Sequence, residues 1–72
     1  MNVFEAVNYL GKRVVLMGRV SGYPRGRTGR LVSIQAGVEP WAIGPYATVN
    51  FDLADWSDEE NVPLELLRPA QV

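Results

Sequence analysis

The residues best suited to chemistry lie in a basic, glycine-rich segment between residues 19 and 30. Its four arginines, one tyrosine and two glycines are Arg19, Tyr23, Arg25, Gly26, Arg27, Gly29 and Arg30. Phosphate binding needs cations on a rigid turn, together with backbone amides that glycine leaves accessible, and an aromatic ring can stack on an unpaired base. The segment therefore predicts a nucleic-acid-binding loop. The alternative is that its arginines keep a loop soluble and pair with acidic residues elsewhere.

Aromatic and acidic side chains in the second half of the chain indicate a different kind of site. Three aromatic residues and two carboxylates carry this hypothesis: Trp41, Tyr46, Trp56, Asp55 and Asp58. Aromatic faces flanked by carboxylates suit proline-rich, arginine-rich or methylated-lysine peptides. The pattern predicts a protein or peptide partner, as for an adaptor or a subunit of an assembly. The alternative is that the tryptophans fill the open ends of a small barrel.

The composition leaves few means of catalysis. The 72 residues include no cysteine and no histidine, so the chain has no thiolate, no imidazole ligand and no imidazole base. Its serines therefore lack the usual activating partner. The three aspartates Asp52, Asp55 and Asp58 lack the alternating ligands and central glycine of a calcium-binding loop. We expect a non-enzymatic protein with no metal and no cofactor.

Charge is divided between the two halves of the chain. The first 36 residues hold six basic side chains and one acidic one, whereas the remainder holds one basic and seven acidic side chains, so the net charge is only −1. This asymmetry predicts a surface with one basic and one acidic region, unless folding interleaves the two sets.

The length fits one small domain over residues 1–72, in which folding buries about 60% of the surface that the unfolded chain exposes. The sequence contains no apolar stretch of about 20 residues and no signal-peptide pattern. We therefore expect a cytoplasmic protein.

The first half reads as a short helix followed by two strands. The helix is predicted over residues 3–10, with Asn2 as its N-cap and an apolar stripe that must dock on a core. That stripe consists of Phe4, Val7 and Leu10. A β-branched run predicts a first strand over 13–20, and turn-forming residues predict a loop over 21–29. A second strand follows over 30–35, with Val32 and Ile34 on one face and Leu31 and Ser33 on the other.

The second half is predicted to add a connection, a strand and a closing segment. Glycine and proline predict an extended connection over 36–46. Clean alternation predicts a third strand over 47–52, with its apolar residues inward. An acidic loop is expected over 52–61, and the residues after Pro63 suit a one-turn helix and a brief closing strand. Several short strands in so few residues favour a small all-β barrel of about five strands, because closure removes exposed sheet edges.

A resemblance to the KOW motif is carried by the run GYPRGRTGRL at residues 22–31, in which the glycines are spaced by four and then by three residues. KOW domains are SH3-like barrels of a large-subunit ribosomal protein and of transcription elongation factors, and they contact RNA, DNA or protein. The resemblance implies an SH3-like barrel in which Arg25 holds the basic loop position and Arg27 and Arg30 extend it. It also implies nucleic acid or a nucleoprotein complex as the partner.

One SH3-like barrel of this size, plasmid-borne type II dihydrofolate reductase, is an enzyme only as a tetramer. An oligomeric enzyme of that kind is therefore a remote alternative on grounds of fold analogy. The chain has no counterpart of that enzyme's Val-Gln-Ile-Tyr segment.

Overall fold

The computed structural model describes residues 1–35, 45–52 and 57–70. One helix, five strands and a one-turn 3-10 helix follow one another in the order α1 (Val3–Val7), β1 (Arg13–Leu16), β2 (Thr28–Gln35), β3 (Tyr46–Asp52), β4 (Ser57–Pro63), the 3-10 turn (Leu64–Leu66) and β5 (Leu67–Pro69). The strands form one antiparallel sheet in the order β4-β3-β2-β1-β5. The small all-β fold is therefore confirmed.

Strand β3 lies near the middle of the sheet and supplies the centre of the core. Its alternating residues Ala47, Val49 and Phe51 are all fully buried, as a strand with one apolar face requires. The predicted third strand is confirmed, and it begins one residue earlier, at Tyr46.

A β-bulge in β2 makes the predicted division of faces wrong. The register of β2 against β3 shifts between Leu31 and Ser33, so that Val32 is an extra residue. An extra residue changes which later side chains point inward. Leu31 is fully buried and Ile34 packs against the core, whereas Val32 is 43% exposed.

The predicted acidic loop over 52–61 is wrong for its second half. Residues Ser57–Pro63 form strand β4, which pairs with β3 along its whole length. Acidic residues are poor strand formers, but pairing with β3 outweighs that local preference. At the edge of a sheet, charged side chains also discourage pairing with other chains.

The predicted ending of the chain is confirmed. Pro63 precedes the 3-10 turn, and β5 then pairs antiparallel with β1, with Leu67 opposite Leu16. Leu64 and Leu67 are both buried in the core. This return places β1 between β2 and β5.

Strand β1 is shorter than predicted, since it ends at Leu16 and not at residue 20. The N–H of Met17 donates to the carbonyl of Leu66 at 2.8 Å. Val20 and Tyr23 then exchange backbone hydrogen bonds of 3.0 and 2.8 Å across a tight turn. Both central residues of that turn have positive φ, 47° at Ser21 and 87° at Gly22, which is the geometry of a primed hairpin turn.

Helix α1 begins as predicted but presents a different face to the core. The Oδ1 atom of Asn2 accepts a 2.7 Å hydrogen bond from the N–H of Glu5, which is the predicted N-cap. The helix ends at Val7, not at residue 10, and the stripe expected to dock is exposed: Phe4 is 86%, Val7 54% and Leu10 45% exposed.

The residue of α1 that faces the core is Ala6, which is fully buried. Its small side chain lets the helix backbone approach the sheet closely, and Met1, Val3 and Tyr9 also pack against the core. The predicted stripe is wrong because spacing alone does not tell which face of a short helix meets the core. Within the described ranges, no helix is long and apolar enough to cross a membrane.

Candidate nucleic-acid interface

Three arginines from three adjacent strands share the outer face of the sheet. Arg13 on β1 lies directly opposite Arg30 on β2, and Arg68 on β5 lies opposite Val15 on β1. All three arginines are exposed, and the neighbours that alternate with them, such as Val14, are buried on the inner face. We call Arg13, Arg30 and Arg68 the arginine face.

Sheet geometry keeps these cations close together. Side chains directly opposite each other have Cβ atoms about 5 Å apart, and diagonal neighbours about 7 to 8 Å apart. Like charges directly opposite each other repel, so the direct Arg13–Arg30 pairing concentrates positive charge on this face. A row of phosphates would neutralise both charges.

The acidic residues of β4 lie apart from this face. Continuing from Arg30 across the sheet, the register reaches Asn50 on β3 and then Glu59 on β4. Two strand spacings separate Arg30 from Glu59, which is about 10 Å. Among the described residues, Glu59 is the acidic side chain of β4 on the outer face, two strands away from Arg30.

Tyr23 joins the predicted loop to the inner side of the sheet. Its ring stacks on Phe51 with centroids 4.2 Å apart and an angle of 18° between the planes. Its hydroxyl donates a 2.8 Å hydrogen bond to the Asp58 carboxylate, and the Arg27 guanidinium lies 5.7 Å from its ring centroid. Phe51 covers one face of the ring and Asp58 holds the hydroxyl, so Tyr23 is part of the fold, and its stacking on a base stays a prediction.

Because of the contact between Tyr23 and Asp58, we expect the stability of the fold to fall at alkaline pH. The hydrogen bond to Asp58, desolvation and nearby negative charges raise the pKa of Tyr23 above its usual 10.0, while Arg27 acts in the opposite direction. Because the folded state holds this proton more tightly than the unfolded chain does, the stabilisation is present below pH 10.0 and is lost as the pH rises through the raised pKa.

We expect the loss of stability at alkaline pH to be smaller in a Tyr23→Phe variant than in the wild type. Guanidinium unfolding of both proteins, near neutral pH and above pH 10.0, measures this difference. The same pH dependence in both proteins would contradict the role given to this hydroxyl.

The two predicted glycine donors have other roles. The Gly26 amide donates to the Leu16 carbonyl at 2.8 Å, and Gly26 itself has a φ of +92°. Gly29 is buried within β2, opposite Val14, and is not part of a loop. The expectation that both amides are accessible to phosphate is therefore corrected: glycine shapes the connection and the sheet here.

The predicted basic loop is divided by the fold. Arg27 lies beside Tyr23 on the inner side, whereas Arg30 lies on the outer face opposite Arg13. Arg19 and Arg25 are exposed in the connection between β1 and β2. Sequence reasoning missed Arg13 and Arg68 as partners of Arg30. Each of these two arginines directly precedes or follows a buried strand residue, which places it on the outer face of its strand. This position brings the arginines together only once it is known which strands pair.

The aromatic and acidic site predicted for a peptide falls largely outside the described residues. Trp41, Asp55 and Trp56 lie there. Tyr46 begins β3 and is half-buried, and Asp58 on β4 accepts the hydrogen bond from Tyr23. The register places these two residues toward opposite ends of the β3–β4 pair, and the peptide site stays a prediction.

Comparison with known proteins gives no match to a family model, to a curated protein sequence or to a solved structure. The function is therefore argued from the geometry of the arginine face.

Proposed function

We propose that this chain is a small, non-enzymatic binding protein with a KOW-like, SH3-like barrel, and that it docks on nucleic acid or on a nucleoprotein assembly. The barrel assignment is supported by the strand order β4-β3-β2-β1-β5 and by the 3-10 turn that leads into β5. The glycine spacing of residues 22–29 agrees with it.

The observation that carries the proposal is the arginine face. Backbone hydrogen bonds hold the three paired strands in place, so that only the arginine side chains, and not the main chain, must be ordered when a polyanion binds. Arginine is also the side chain best suited to phosphate, because its planar fork can form two parallel hydrogen bonds. A rigid surface of this kind favours contact with the sugar–phosphate backbone over reading of the sequence.

The proposal moves the contact from the connecting loop to the sheet. The connection between β1 and β2 has a structural role through Tyr23, which covers Phe51. Its exposed residues Arg19 and Arg25 add positive potential, which attracts a polyanion at long range.

The test is an NMR titration of the isotope-labelled, folded protein with an unlabelled oligonucleotide. Amide shifts are expected to change most on β1, β2 and β5 around Arg13, Arg30 and Arg68, and least on β4 around Glu59. Changes concentrated on β4, or no change at all, would refute the proposal.

A second candidate function, a subunit of a protein assembly, is favoured by the exposed stripe on α1. A helix with Phe4 86% exposed offers apolar surface to a protein partner. The same spectra test this candidate: shifts at Phe4, Val7 and Leu10 that depend on protein concentration without nucleic acid would support it, and their absence would count against it.

A further inference from the structure

A cleft of about 800 Å³ opens between the N-terminal helix and strand β5. Glu5 and Tyr9 line it on one side, and Arg68, Pro69 and Ala70 line it on the other. Its volume is within the range of small-molecule sites, which is about 300 to 1,000 Å³. Because Arg68 belongs to both the cleft and the arginine face, a ligand can occupy the two together.

The side chains that line the cleft differ in chemistry. Arg68 is an exposed cation that can contact a phosphate. Tyr9 is an aromatic wall that packs partly on the core, and the Lys12 ammonium lies 5.7 Å from its ring centroid. Glu5 is an exposed carboxylate, which only accepts hydrogen bonds when it is ionised.

A cation, an aromatic ring and a carboxylate in one cleft match the three kinds of group that one nucleotide presents. A nucleotide has an anionic phosphate at one end, while its base is a flat ring that in cytosine, adenine and guanine bears an amino group. Carboxylates accept hydrogen bonds from the amino group of cytosine, and aromatic side chains contact unpaired bases in single strands. Thymine and uracil have no amino group to offer Glu5.

We infer that the cleft receives one unpaired, amino-bearing base of a single strand while the arginine face holds the backbone. This inference rests on the proposed function and names its substrate class. A base within a duplex cannot enter, because its edge is paired and its faces are stacked. The protein therefore prefers single strands to duplexes, and cytosine to thymine.

The test measures fluorescence anisotropy with oligodeoxycytidine, oligothymidine and duplex probes of about 12 nucleotides, which is within the range of site sizes of small single-strand-binding domains. The wild type is expected to bind the cytidine probe about tenfold more tightly than the thymidine probe. Glu5→Gln should reduce this preference to about twofold. Glu65→Gln, which removes the same charge from an exposed position in the 3-10 turn, should retain it.

A second variant separates base contact from charge. Tyr9→Leu keeps an apolar wall but removes the aromatic ring, and it should weaken binding to both single strands while leaving duplex binding unchanged. Circular dichroism establishes that each variant is folded.

The outcomes distinguish the inference from the proposed function. Salt-sensitive binding with equal affinity for the cytidine and thymidine probes overturns the inference and leaves the arginine face intact. A preference that persists in Glu5→Gln also overturns it. If none of the three probes binds, both the inference and the proposed function fail.

Discussion

A Gly29→Val variant is expected to lose the native fold. A Cβ atom at this position would lie 2.6 Å from Val49 Cγ1, 2.9 Å from the carbonyl oxygen of Asn50 and 3.0 Å from Phe51 Cδ1. Val49 and Phe51 are fully buried, and the carbonyl belongs to the neighbouring strand β3, so these groups cannot move aside without separating β2 from β3. Overpacking of a core costs about 1 to 3 kcal/mol and sometimes more. Alanine would add only the clashing Cβ atom, whereas valine would add two more methyl groups beyond it.

That loss is large relative to the stability of so small a domain. At about 0.1 kcal/mol per residue, the chain has roughly 7 kcal/mol in total. Gly29→Ala should lower the free energy of unfolding by about 3 kcal/mol, as measured by guanidinium denaturation, and Gly29→Val should give the far-ultraviolet spectrum of an unfolded chain.

The matched control is Gly22→Asn. Gly22 has a φ of +87°, and a Cβ there meets open space. Asparagine tolerates this backbone region, so its effect should stay below about 1 kcal/mol. A folded Gly29→Val protein with wild-type stability would contradict the packing described between β2 and β3.

Local sequence patterns correctly predicted the elements that depend only on residues close in the sequence. Strand β3 alternates apolar and polar residues without interruption, so its inward residues were identified correctly. Pro63 fixes its own φ and donates no backbone hydrogen bond. Strand β4 therefore ends at Pro63, and the turn that follows was predictable. The cap at Asn2 likewise depends only on the side chain and on an amide three residues away.

Elements that depend on distant partners were not predictable. Strand β4 consists largely of acidic and polar residues, and only its pairing with β3 makes it a strand. The extra residue at Val32 becomes visible only from the register of two strands. The helix turns Ala6 and not Phe4 to the core, a choice that depends on the shape of the sheet beneath it.

The sequence predicted the residue type of the candidate site, but not which residues the fold brings together there. The sequence identified arginine as the important residue type and the region around Arg30 as basic. It could not show that Arg30 and Arg27 lie on opposite sides of the sheet, or that Arg68, far along the chain, returns beside β1. Tyr23 was recognised as a useful aromatic ring, but its partner Asp58 lies 35 residues away.

Replacing the whole arginine face is expected to remove most of the affinity for nucleic acid. In the triple variant Arg13→Thr, Arg30→Thr, Arg68→Thr, three phosphate contacts are lost, and we expect an affinity about a hundredfold lower at low salt. Threonine is a good strand former, and the substitution removes the repulsion between two opposed arginines. Guanidinium denaturation of the triple variant establishes that it is folded, so that weaker binding is not a result of unfolding.

The most direct measurement is the salt dependence of nucleic-acid affinity for the wild type, the triple variant and a loop control, Arg19→Thr with Arg25→Thr. For a single strand, each lost phosphate contact lowers the slope of log affinity against log salt by about 0.7. The triple variant should therefore have a slope smaller by about 2.1, while the slope of the loop control should stay close to that of the wild type. A wild-type affinity that is unchanged between about 50 and 200 mM salt, or a triple variant that keeps the wild-type affinity and slope, would contradict the arginine face as the binding surface.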